Sequence, residues 1–107
     1  MINTGNDVNV VNLTGNLMCD VTWKEDNKGN RTIGFFAVGT ARCINEEDKI
    51  YVTDRHSIVV KNPAVISKFP EVAKGSRVSI QGVLMYRRYE NCKHPEAEIR
   101  LETIKAL

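Results

Sequence analysis

Apolar residues recur at every second position along most of this chain, the period of a strand with one face buried. Val8 and Val10, then Val11, Leu13, Gly15 and Leu17, predict a long first strand with a register step near Val10–Val11, as a bulge makes. Residues 21–24 continue it briefly, and the polar run 25–30, with its Asn, Lys and Gly, predicts a hairpin tip. The second strand runs from about Arg31 to Arg42, with Ile33, Phe35, Ala37, Gly39 and Ala41 on one side and Gly34, Phe36, Val38, Thr40 and Arg42 on the other. After the acidic loop 45–48, a third strand reaches Val60. Asn62-Pro63 then offers a cap and a first helical residue, so one short helix follows to about Lys68, ended by Pro70 and Gly75. Arg77 to Tyr89 is the most regular alternation, and Ala97 to Lys105 closes the chain as a fifth strand.

Strand, strand, strand, short helix, strand, strand is the order of the OB-fold. That fold is all-β, a five-stranded antiparallel Greek-key barrel with the helix between strands three and four. The length of 107 residues suits one such domain, 1–107, with 1–7 as a flexible N-terminus. Hydrophobic residues at 42% and charged ones at 26% fit a soluble globular domain rather than a disordered chain. No apolar run approaches the roughly 18–20 residues that span a bilayer, and residues 1–7 have no secretory signal pattern.

Candidate chemistry is thin. Cys19, Cys43 and Cys92 form no CxxC pair, and Cys92-Lys93-His94 is too short and isolated for zinc, so neither a metal nor another cofactor is expected. Unpaired thiols point to an intracellular protein. The sequence holds no GxSxG elbow, phosphate-binding glycine loop or HExxH pair, so no enzyme is expected. Charge is uneven: residues 1–53 hold five basic and seven acidic residues, whereas 54–107 hold ten and six. A total of +2 therefore conceals a positive C-terminal half.

Three blocks resemble the bacterial and mitochondrial single-stranded DNA-binding proteins (SSB). Val8 to Leu17, with its Leu13-Thr14-Gly15-Asn16-Leu17, is similar to their opening strand, and Arg55-His56-Ser57-Ile58-Val59-Val60 to their Trp-His-Arg-Val-Val. Lys74-Gly75-Ser76 followed by an alternating strand to Gly82-Val83-Leu84 resembles their Lys-Gly-Ser and Glu-Gly-x-Leu, and Tyr86-Arg87-Arg88-Tyr89 stands where the family has basic residues ending in an aromatic. The order and spacing match over essentially the whole chain. The departures lie among stacking residues. The Trp that opens the family's third strand is here Arg55, the aromatic near its end Lys61, and the aromatic ending the second strand Cys43; Tyr89 alone survives in kind. The family's disordered linker and acidic tip are missing after Leu107, which fits mitochondrial, phage or plasmid relatives, or a trimmed chain.

A barrel buries one parity of each strand and offers the other. Ile33, Phe35 and Ala37 are the more apolar set of the second strand, which turns Phe36 outward with Arg42, unless Phe36 packs at a subunit interface. The outward sets of strands three and four are Arg55, Ser57, Val59, Lys61 and Gln81, Val83, Met85, Arg87, Tyr89. The expected nucleic-acid-binding residues are therefore Phe36, Arg42, Arg55, Lys61, Arg87 and Tyr89, joined by Trp23 and Lys24 of the first hairpin. Trp23 is either a stacking residue or a barrel cap. The resemblance assigns His56 to an oligomer interface and implies a homotetramer, with a dimer second. It also implies coating of single-stranded DNA, and possible replication or repair proteins as partners, in a bacterial, phage-infected or mitochondrial setting. The alternative is an adaptor similar to the primosomal replication protein, or an RNA-editing-complex subunit that binds RNA or protein.

Overall fold

Six strands and one short helix make up the described part of the computed structural model, residues 6–87 and 96–107. The strands are β1 (Val11–Leu17), β2 (Thr22–Glu25), β3 (Arg31–Asn45), β4 (Ile50–Val60), β5 (Arg77–Arg87) and β6 (Glu96–Ala106); the helix α1 is Pro63–Ser67. β1 and β2 both pair with β3, so they are two pieces of one stave, which bows out between Met18 and Val21. The sheet runs β1-β5-β6-β4-β3, and the β1–β3 pairing closes it into a barrel of five staves. Among the described residues, all pairings are antiparallel except one. Ile58–Val59 of β4 run parallel to Ile99–Arg100 of β6, an addition to the antiparallel reading of the sequence.

The step expected near Val10–Val11 has a specific form. β1 begins at Val11, and ahead of it the Asn9 side chain takes the place of a ladder peptide. Its Nδ2 donates to the Leu84 carbonyl at 2.7 Å, and its Oδ1 accepts from the Leu84 amide at 2.9 Å. Further along β1, a side chain at Gly15 would collide with the Gly39 carbonyl, so the glycine lets β1 cross close to β3.

The core holds Leu17, Phe36, Val38, Ile58, Val60, Val78, Ile80, Ile99 and Leu101. The helix plugs one end of it. Asn62 caps α1, its Oδ1 accepting from the Ala64 amide at 2.9 Å, with Pro63 in the first turn. Val65, Ile66 and Phe69 pack on the core. Phe69 meets Phe36 edge to face at 5.8 Å and Trp23 at 5.0 Å between centroids.

Phe36 thus corrects the sequence reading, because it is 4% exposed and sits inside. The cause is one extra residue in the β3–β4 hairpin. Asn45 pairs with Ile50, but Cys43 pairs with Tyr51, which leaves Ile44 as a bulge. From there on the register is slipped by one. Phe36 lies opposite Ile58 and Gly34 opposite Val60, where an unbulged ladder continued from Asn45–Ile50 would set Ala37 against Ile58. A slip of one residue exchanges the two faces of β3, so Phe35 points out and Phe36 in.

Candidate nucleic-acid interface

Directly opposed residues of an antiparallel pair share a face. The other face of the hairpin therefore carries Phe35 with Val59, Ala37 with Ser57, Gly39 with Arg55 and Cys43 with Tyr51, of which Ala37 and Val59 are buried. β2 extends it: Thr22 pairs with Phe35, and Lys24 pairs with Ile33 and holds its Nζ 5.5 Å from the centre of the Phe35 ring. Arg55 is exposed, and its Nη1 donates to the Ser57 hydroxyl at 3.2 Å. On the other side of β4, β6 presents Glu98 opposite Met85 and Glu96 opposite Arg87.

The parallel contact between β4 and β6 is only two residues long. Beside it, Arg55, Ser57 and Ile58 of β4 and 96–98 of β6 line an open cleft of about 270 Å³, together with Thr22, Phe35, Arg87 and, at its floor, the buried Phe36. The cleft combines the parts that a single strand needs: a ring on which a base stacks and guanidinium groups that meet phosphate. It is not uniformly positive. Glu96 and Glu98 line it too, and Glu98 Oε2 lies 3.8 Å from Arg87 Nη1. Cys19, half-buried, reaches the same cleft.

Of the residues expected from sequence, the structure brings Lys24, Arg55 and Arg87 onto this face. Lys61 follows the last residue of β4, exposed and two positions beyond Val59, outside the cleft. Tyr89 lies outside the described residues, as do Cys92 and His94. Three others stand elsewhere. Phe36 is in the core, for the reason given above. Arg42 follows it to the inner parity, where Nε donates to Asp54 Oδ2 at 2.9 Å and Nη2 to Oδ1 at 3.2 Å. This two-point pair raises the affinity of Arg42 for its proton and holds the Asp54 carboxyl below the usual carboxylate range, chiefly through the hydrogen bond itself.

Trp23 pairs with Gly34 and so shares the core parity. Its ring fills the space a side chain at position 34 would need, stacks edge-on against Phe69, and carries the Arg31 guanidinium 4.5 Å from its centre. Of the two roles left open, the cap of the barrel is the one the packing supports. Sequence reasoning missed Phe35, Glu96 and Glu98. The only signal for Phe35 was the hairpin register. His56 is half-buried at the inner parity, its Nε2 2.9 Å from the Thr40 hydroxyl.

The single-strand binding protein family model matches residues 8–107. No curated protein matches the chain. Among solved structures, the Plasmodium falciparum SSB in complex with ssDNA superposes with a TM-score of 0.76 at 24% identity, covering 95% of this chain and 96% of that one. The wild-type single-stranded DNA binding protein from Thermus aquaticus gives 0.74 at 22% identity, and its deletion mutant 0.71 at 21%. Those two matches cover 94% of this chain and 50% of theirs, so the chain spans half the length of the Thermus proteins.

Proposed function

The chain belongs to the single-strand binding protein family, and we propose that it coats single-stranded DNA along the outer face of β2, β3 and β4 and the cleft beside β6. The observation that carries this reading is the meeting of Phe35, Arg55 and Arg87 around one open cleft. A base stacks on Phe35, and Arg55, Arg87 and Lys24 meet the backbone on either side of it. Every base has a π face and every nucleotide a phosphate, so this chemistry tolerates sequence. It suits a protein that covers exposed strands during replication, recombination or repair and involves no catalytic step. The ssDNA complex of the Plasmodium relative, on the same fold, supports the reading.

With the Trp of the family's third strand replaced by Arg55, affinity leans on charge more than on stacking. Anisotropy of a labelled oligo-dT at low salt tests this, and saturable binding in the micromolar range or below is the expected result. No binding there contradicts the proposal and favours the adaptor reading. Trp23 is a poor reporter, since its ring sits under Phe69, on the parity opposite to the face.

The same reading includes assembly as a homotetramer with His56 at a subunit contact. Sedimentation at micromolar concentration should show four chains together. A monomer under those conditions contradicts the assembly.

A further inference from the structure

We propose, on the reading that this face binds single strands, that Glu98 reads the edge of the base stacked on Phe35. It favours a base with an exocyclic amino group beside a ring-nitrogen acceptor, cytosine or adenine, over thymine. The register puts the carboxylate within reach. Arg100 of β6 pairs with Val59 of β4, and Val59 pairs with Phe35 of β3, so the three share a face. Glu98, two positions before Arg100, keeps that parity and lines the same cleft as Phe35 and Ser57. With β4 between them, β6 stands two strand spacings from β3, roughly 10 Å. A base lying on the Phe35 ring spans much of that distance and presents its Watson–Crick edge to β6.

The carboxylate is equipped to receive a donor there. Its side chain is 18% exposed, sheltered yet open to the cleft. Arg87 lies 3.8 Å away, outside hydrogen-bond distance, and among the described residues no hydrogen bond occupies the Glu98 oxygens. A half-sheltered acceptor in that state gains from a donor brought by the ligand. Ser57 adds the complement: its hydroxyl accepts from Arg55 Nη1 at 3.2 Å, which leaves its own O–H to donate into the cleft. An acceptor from β6 and a donor from β4 match the amino group and ring nitrogen of cytosine or adenine. Thymine turns a carbonyl toward the carboxylate instead, and two acceptors then face each other. The preference is modest, because it rides on stacking and charge that every base shares. Arg87 keeps its contacts throughout.

The test measures, by anisotropy, the affinities of oligo-dC and oligo-dT of one length for the full chain at low salt. Wild type, Glu98→Gln and Glu96→Gln are compared. The two pyrimidines have rings of the same size and differ at the edge. The readout is the ratio of the two affinities, since a change of charge alone acts on both oligomers equally. Glu98→Gln should lower the dC-to-dT ratio about 3- to 10-fold, the size of one hydrogen bond, because an amide donates as readily as it accepts. Glu96 is exposed at the start of β6 and lines the same cleft. Glu96→Gln removes the same charge and should tighten both oligomers alike, with the ratio unchanged. Should Glu98→Gln fold poorly, Glu98→Ala must lower the ratio in the same direction. A ratio unmoved by the Glu98 variants, or lowered as much by Glu96→Gln, overturns the base reading alone. No binding of either oligomer by any of these proteins overturns the reading of the face together with it.

Discussion

Two adjacent phenylalanines stand on opposite faces of β3. Phe36 is 4% exposed and touches Phe69, so truncating it opens a hole where α1 meets the barrel. Phe36→Ala should cost about 3–5 kcal/mol of stability and visibly lower the melting temperature. Phe35 is half-buried on the other face, beneath the Lys24 ammonium. Phe35→Ala should weaken oligo-dT binding by roughly 5- to 150-fold, the range of one lost base stack, with the larger melting change reserved for Phe36. Melting curves and anisotropy on the two variants give opposite rankings if the assignment is right. Equal loss of binding from both, or loss from Phe36→Ala alone in a folded protein, would return the binding role to Phe36. The alternation of residues 33–38 could not decide between the two rings, because both parities of that stretch are apolar. Arg55 was legible where Phe35 was not, since Ile58 and Val60 leave its strand only one apolar side.

At the scale of elements, the β3–β4 hairpin sets the site. Its bulge at Ile44 and the left-handed Lys49, with φ of 52°, fix the register that turns Phe35 outward and carries Arg42 to Asp54. None of this is local enough to read from a period of two. α1, by contrast, announced itself at Asn62-Pro63, because a cap and a first-turn proline act on their immediate neighbours. The gap between β4 and β6 was likewise hidden: it depends on a parallel contact between residues some forty positions apart in sequence.

The Arg42–Asp54 pair gives the hairpin a measurable pH signature. The hydrogen bond from Arg42 lowers the pKa of Asp54 in the folded chain relative to the unfolded one. Its contribution is therefore complete at neutral pH and disappears as pH falls from the usual carboxylate range through the depressed value. Asp54→Asn should lower the melting temperature slightly at neutral pH and flatten the acid side of a melting-against-pH curve. An unchanged acid limb in the variant would show that the pair does not contribute.

For the whole molecule, a net charge of +2 predicts little by itself, and its distribution does the explaining. Arg42 and Asp54 neutralise each other on the inner parity, Arg31 lies over Trp23, and Glu96 and Glu98 stand among the cations of the cleft. Among the described residues, the cations of this face form a short local track of Lys24, Arg55 and Arg87, with Lys61 beyond the cleft, rather than a long-range field. Binding should therefore be strongly salt-dependent yet involve few phosphates for each chain. The decisive measurement is the affinity for oligo-dT as a function of salt concentration. Three or four phosphate contacts predict a straight log–log fall with a slope of about −2 to −3 per chain. A flat plot, or no binding at low salt, would contradict a nucleic-acid interface on this face.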